Sequence, residues 1–392
     1  FELVCGQSWF QPILISIYFT GKMAGALVGG FLSDRFGRKP IFLIFTALQF
    51  IASIAMSFVN DVITYAVVLF ISGGGSLVNF MAANLLGVEI VSPKYRSMVY
   101  FLMDVGYSCG YMILPLFAYC LRDWRWFLRV TGIVGILYIP YYWLIDESPY
   151  WLTSVGNEKK AREIRQKIAK LNGDQNQLND ETYDKTPDHV QGCFKSMSTV
   201  LSEPILIGRF LILSLAWIMV SMSYYAIALN TNRLSGNRFL NMFYGGLREL
   251  AGMIIFFIAV DVLGRRNTYS GVMSITAVSI ALFVGHTFSG SQAAVTITTM
   301  LSKLALSVAY GVVYTYSGEL FPTTTRHTIM ATLSSIGRAG SMVSPFVIHR
   351  ASGDTITPSC ITAALIALSS ATVMLLPETR NKILPQTAQQ AV

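Results

Sequence analysis

Apolar residues in this chain neither alternate with polar ones nor recur once per helical turn. They run on for some twenty residues at a time between short polar breaks. A helix needs roughly 20 mostly apolar residues to cross hydrocarbon, and eleven segments reach that length: 11–33, 41–60, 62–88, 97–119, 124–145, 209–229, 239–261, 268–288, 293–317, 327–350 and 357–377. Gly and Pro recur inside these runs, which membrane helices tolerate where neighbours satisfy the freed backbone groups. The pattern predicts an all-α, multi-pass membrane protein. The single long connection divides it into a helical half at 1–145, a linker at 146–208, a second helical half at 209–377 and a tail at 378–392.

The linker contains a different pattern. Between Glu158 and Asn172, Ala161, Ile164, Ile168 and Leu171 share one helical face, with Lys159, Lys160, Arg162, Arg165, Lys167 and Lys170 around it. This is a basic amphipathic helix, either braced against a gate or lipid headgroups or simply a solvated connector.

Composition agrees with the pattern: 53% of residues are apolar and 13% charged, with a mean hydropathy of +0.52. Soluble domains carry about 25% charged residues. Five scattered cysteines exclude a disulfide-stapled scaffold. The net charge of +8 would suit nucleic acid only if gathered in one patch, and it is not. With the loop of Arg35, Arg38 and Lys39 placed in the cytoplasm, 19 of the 29 basic residues fall on that side and 5 on the other. Positive charge therefore reports topology, with a cytoplasmic C-terminus and residue 1 outside. No signal peptide precedes the first span, so an upstream span is expected.

An internal repeat runs through both halves. Asp34, Gly37, Arg38 and Lys39 after the first span match Asp261, Gly264, Arg265 and Arg266 after the seventh. Glu89 and Arg96 are seven residues apart, as are Glu319 and Arg326; Glu147 and Glu378 follow the fifth and eleventh spans. Counted from the leading Asp, the later acids lie at offsets of 55 and 113 in one half and 58 and 117 in the other. Basic turns alone would be topology anchors, but Asp and Glu contribute little to topology. The repeat therefore predicts a cytoplasmic ion-pair latch. In it Asp34 and Asp261 accept from Arg96 and Arg326, and Glu147 and Glu378 complete the set. Exposed pairs of about 1 kcal/mol or less can break in every cycle. Gly21, Gly25 and Gly29 recur every four residues, serving either close packing or sliding between halves.

These residues carry a resemblance. The run from Gly30 to Lys39 resembles the loop signature of the major facilitator superfamily. Asp146 to Leu152, Glu319 to Thr323 with Arg326, and Pro377 to Thr379 resemble the solute carrier 22 organic ion transporters. Gly110 to Tyr119 and Arg122 to Arg125 resemble the organic cation/carnitine branch of that family. The resemblance spans essentially the whole chain. It implies twelve spans in two six-helix halves, with a disulfide-bonded external loop after the first. Phe1 to Cys5 look like the end of that loop, so the halves here correspond to family helices 2 to 6 and 7 to 12, with an unpaired Cys5.

Charges inside spans are costly and are functional hypotheses by default. Arg338 lies midway along its span, where by resemblance the anion and carnitine carriers have Arg and the simple cation carriers Asp; it would take a substrate carboxylate. Glu249 matches an acidic position of the cation and carnitine branches and would face an ammonium, unless Arg248 neutralises it. Lys303 occupies a family position and meets either ligand or an acid. Lys22 and Asp104 depart from the carnitine branch and form either a structural pair or extra recognition charges. Trp217 and Tyr224, with Tyr310 and Tyr314, match the family's aromatic positions and could hold a quaternary ammonium through cation–π attraction; Tyr107, Tyr111 and Tyr225 are lesser candidates. No ATP-binding loop, zinc motif or hydrolase elbow is present in the sequence.

The sequence thus predicts a plasma-membrane secondary transporter, not an enzyme, with no metal site and no cofactor; Na⁺ coupling is left open. Its partners are the lipid bilayer and a small organic cation or zwitterion such as carnitine or a betaine. The alternatives are an organic anion carrier or a truncated, non-transporting sensor or partner chain.

Overall fold

The computed structural model describes residues 7–91, 95–172, 203–230, 237–289, 291–322, 326–350, 356–380 and 382. These residues are overwhelmingly helical. Helices α1 (Phe10–Phe36), α2 (Arg38–Met56), α3 (Val62–Ile90) and α4 (Arg96–Cys120) are followed by the short α5 (Trp124–Ile133) and α6 (Tyr141–Leu144), then by α7 (Pro149–Ser154) and α8 (Glu158–Asn172). Six long helices complete the order: α9 (Pro204–Asn230), α10 (Arg238–Leu263), α11 (Arg265–Ser289), α12 (Gln292–Leu320), α13 (Arg326–Arg350) and α14 (Ile356–Val373). Each of the eleven expected spans is matched by helix. Among the described residues, nine stretches are long and apolar enough to cross a membrane by themselves. The exceptions, α10 and α13, are the two that carry Glu249 and Arg338.

The chain divides into two compact units that do not follow chain order. One contains Thr20–Gly106 and Leu121–His189; the other contains Glu2–Phe19, Tyr107–Cys120 and Val190–Val392. The start of α1 and the end of α4 therefore belong with the later helices. The tail beyond Lys382 and most of the linker after α8 lie outside the described residues.

In the first unit, Ile41 and Phe42 of α2 pack on Val78 and Ala82 of α3. A polar bridge ties the same helices: Thr46 Oγ1 donates to Asn79 Oδ1 (2.8 Å), and Asn79 Nδ2 donates to Gln49 Oε1 (3.1 Å). The fifth span was expected as one helix, but it tightens to a 3₁₀ turn over Val134–Tyr138 before Pro140. Gly132 and Gly135 lie against Ile54 and Phe50 of α2, and Pro140 supplies no N–H to continue the ladder. Arg129, charged within this span, lies over the rings of Phe58 (4.5 Å) and Trp126 (4.9 Å) and donates to Ser57 Oγ (3.1 Å). That is a structural anchor.

The second unit has the larger core, built on Leu213, Trp217 and Val220 of α9, Tyr269 and Met273 of α11, Leu306, Val312 and Tyr316 of α12, Leu333 of α13 and Ile366 of α14. Helices α11 and α14 are stitched by reciprocal bonds: Ser270 Oγ donates to the Ser370 carbonyl (3.0 Å) and Ser370 Oγ to the Ser270 carbonyl (2.8 Å). Small hydroxyl residues let membrane helices approach closely while pairing their polar groups.

The Gly21, Gly25, Gly29 series packs on α3 within the first unit. A Cβ on Gly25 would lie 2.6 Å from the Gly74 carbonyl oxygen, whereas one on Gly30 would meet nothing within 4 Å. Gly25→Val should therefore cost about 1–3 kcal/mol through overpacking against backbone, seen as a lowered thermal midpoint of the purified protein. Gly30→Ala should leave that midpoint unchanged; equal shifts would refute the packing account.

Candidate substrate site and helix-end charge arrays

Two arrays of charge stand at helix ends, one in each unit. Gly37 has φ 105° and Gly264 φ 82°, a left-handed region open to glycine. Each lets one helix stop and the next begin one residue later, leaving the first N–H groups of α2 and α11 without intrahelical partners. A carboxylate takes them in both places. Glu147 Oε1 accepts from the N–H of Arg38 (3.0 Å), Lys39 (3.1 Å) and Ser148 (2.9 Å). Glu378 accepts from Arg265 (2.8 Å), Arg266 (3.0 Å), Thr379 (2.9 Å) and Arg380 (3.1 Å).

The motif arginines are thereby aimed at the second acid of each repeat. Arg38 Nε is 3.4 Å from Glu89 Oε2, and its Nη1 is 2.8 Å from Asp34 Oδ1. Arg265 Nη2 lies 2.8 Å from Glu319 Oε1, whose other oxygen accepts from Thr379 Oγ1 at 2.6 Å. Trp151 Nε1 donates to the Asp34 carbonyl (2.8 Å), and Tyr316 OH to the Pro377 carbonyl (2.7 Å).

This pairing differs from the expected latch. Asp34 meets Arg38 of its own turn, because the one-residue break at Gly37 folds Arg38 back beside it. Asp261 is exposed and makes no ion pair among the described residues. Arg326 lies near Glu319, but its Nε and Nη2 have no hydrogen-bond partner among the described residues. Arg35 is exposed, its guanidinium over Phe36, and the Arg96 side chain lies outside the described residues. Among the described residues Glu147 and Glu378 serve as helix caps.

A second cluster lies in the membrane part of the second unit. Glu249 on α10 is the hub: Arg248 Nη2 (2.7 Å) and Tyr224 OH (2.8 Å) reach Oε1, and Ser307 Oγ (2.7 Å) reaches Oε2. The Arg248 and Glu249 side chains are only 8% and 13% exposed, so each depends on the other for charge balance. Lys303 of α12 is buried, with Nζ 5.6 Å from the Tyr111 ring centre, and it feels the charges of Arg248 and Glu249.

Next to this hub stand the aromatics. Trp217 meets Tyr314 edge-on at 4.4 Å and Tyr310 at 6.1 Å, and Tyr310 meets Tyr224 at 5.5 Å. Trp217 Nε1 donates to Ser317 Oγ (3.0 Å), while the Ser221 and Tyr310 hydroxyls lie 2.9 Å apart. Gly337 lets α13 approach Trp217, whose Cε3 would lie 2.9 Å from a Cβ there, which sets Arg338 beside α9. Arg338 is half-buried, bonds Ser334 one turn back, and is within electrostatic reach of the Tyr225 and Tyr310 hydroxyls. Among the described residues no carboxylate pairs with it.

The structure thus brings together Trp217, Tyr224, Glu249, Lys303, Tyr310, Tyr314 and Arg338 in one unit. Lys22 on α1, half-buried, and Asp104 on α4, exposed, belong to the other unit. Sequence reasoning passed over Ser307, although 303, 307, 310 and 314 form one helical stripe. It also passed over Ser221 and Ser317, for which no local signal exists.

With this geometry in view, the fold is that of a major facilitator superfamily transporter. An inward-open structure of the xylose transporter XylE from E. coli matches with a TM-score of 0.76 at 16% identity, covering 98% of this chain and 89% of that one. The chain belongs to the sugar (and other) transporter family, which it matches over residues 7–390. It is 30% identical over 398 residues to human organic cation/carnitine transporter 2, covering 99% of this chain and 70% of that protein. It is 30% identical over 399 residues to the Drosophila melanogaster organic cation transporter protein, covering 99% and 72%.

Burial works against ionisation of Glu378, but the four backbone N–H bonds outweigh it and hold the carboxyl below the ordinary carboxylate range. A carboxyl with a lowered folded-state value stabilises fully above its unfolded value of about 4.3 and loses that stabilisation as pH falls through the folded value. Glu378→Gln should therefore lower the thermal midpoint at neutral pH, with the gap narrowing only below about pH 4.3. A gap independent of pH would rule out the charged cap.

Proposed function

We propose that the protein is a secondary-active carrier of small zwitterions or organic cations of the carnitine and betaine type, working by alternating access. The observation that carries this reading is the aromatic group Trp217, Tyr224, Tyr310 and Tyr314 in the same unit as an arginine, Arg338, that lacks a carboxylate partner among the described residues. A quaternary ammonium is held by aromatic faces, and a carboxylate by a guanidinium. Tyr224 donates to Glu249, which draws electron density toward the phenol ring and favours a cation over its face. The similarity to organic cation/carnitine transporters supports the same substrate class.

Alternating access in such folds moves one helical half against the other around a midplane site. In this reading the charge arrays stand at the cytoplasmic face, where short-range ion pairs such as Arg38–Glu89 and Arg265–Glu319 hold each unit's helix ends in register. Residue 1 is external, the chain lies in the plasma membrane, and Na⁺ is the candidate coupling ion.

One observation favours the second reading, an organic anion carrier. Arg248 already neutralises Glu249, leaving Arg338 as a cation in this unit with no carboxylate partner among the described residues. Uptake of labelled carnitine, tetraethylammonium and an organic anion, with and without Na⁺, separates the readings. For the zwitterion carrier, Arg338→Gln should raise the KM for carnitine by about 10- to 100-fold, and Glu249→Gln should abolish its uptake. Uptake of the anion alone, unchanged by Glu249→Gln, would establish the second reading, and no uptake of any substrate would sink both.

A further inference from the structure

One strongly charged surface has no part in the transport reading: the outer face of α8. Helix α8 carries six basic residues and only two acids, Glu158 and Glu163. Among its described side chains Ala161 and Ala169 are buried, and small residues there let helices pack closely. Two of its cations are used as ties. Arg165 Nη2 donates to Thr153 Oγ1 of α7 (2.8 Å), and Lys167 Nζ meets Asp146 Oδ2 (2.6 Å). The other four, Lys159, Lys160, Arg162 and Lys170, are exposed, and Lys159 and Arg162 share that exposed surface with Glu158 and Glu163.

The ties also fix depth. Asp146 is two residues past Leu144, where the apolar stretch Trp124–Leu144 ends, so its bond to Lys167 holds the middle of α8 at the level of a span end. Helix α7 is tied similarly through Trp151 to the carbonyl of Asp34, two residues before α1 ends. Around that level Tyr142 and Trp143 are exposed, and Lys39 lies over Tyr142, the side-chain chemistry of a membrane interface.

We propose that α8 is a docking surface for the anionic phospholipid headgroups of the adjacent leaflet. A net excess of exposed Lys and Arg held at interfacial depth is attracted to such a surface, with a contribution from each charge near it.

The test is amide hydrogen exchange on the full chain in nanodiscs of phosphatidylcholine alone and of phosphatidylcholine with phosphatidylserine. Exchange across 158–172 should slow by about tenfold with the anionic lipid, and high salt should erase the difference. The variant K159Q/K160Q/R162Q/K170Q should lose the lipid dependence while exchange in α2 and α3 stays as in the parent; K159R/K160R should retain it. Equal exchange in both lipids for the parent chain, or lipid dependence kept by the Gln variant, would overturn the proposal. Slowing by added polyglutamate without any lipid effect would overturn it too, in favour of an acidic protein partner.

Discussion

A carboxylate seated on the first backbone N–H groups of a helix is the interaction around which both units are arranged. Glu147 and Glu378 each arrive from far along the sequence and satisfy donors that the glycine breaks at Gly37 and Gly264 leave open. Bonds between a carboxylate and backbone N–H are charge-assisted and hold geometry well. The ion pairs that depend on them join side chains only 12–18% exposed, so each charge relies on its partner for balance. The contacts are therefore layered: the caps fix where the helices begin, and the arginines Arg38 and Arg265 hold Glu89 and Glu319 beside them.

The same economy of charge governs the membrane interior. Glu249 satisfies Arg248, Tyr224 and Ser307 together, so one carboxylate organises parts of α9, α10 and α12. The helices that hold Glu249 and Arg338, α10 and α13, are the ones whose composition falls short of an independent span. Their place in lipid depends on neighbours, as expected where polar residues face a bundle interior. Arg129 shows the other way to keep a charge in a span, covered by two aromatic rings at a helix end.

Much of the fold was legible because the lipid imposes it: unbroken apolar runs admit only helices, and ten of the eleven expected spans are each one helix. The repeat was legible as spacing, since Glu147 and Glu378 recur at matched offsets. What the acids do was not, because bonding to backbone N–H leaves no mark on residue type, and a cap and a latch both require Glu. The break of the fifth span was hidden for a similar reason: Gly132 and Gly135 matter through Ile54 and Phe50, far off in sequence. At the site, Trp217, Tyr224, Glu249 and Arg338 were found from family-like positions, but Ser307 joined them only through three-dimensional proximity, and the pairing of Glu249 with Arg248 decided what charge is left for a ligand.

The stitch between Tyr316, Glu319 and the segment Pro377–Arg380 has a consequence for how the chain is made. Synthesis proceeds from the N-terminus, so the array of the first unit is complete once Trp151 has emerged. The second array cannot close until the ribosome has passed Arg380, beyond α14. Until then neither Glu378 is available to the first N–H groups of α11 nor Thr379 to Glu319. The second unit is therefore the late-maturing part of the protein, dependent on residues beyond its final span for the geometry of its earlier ones.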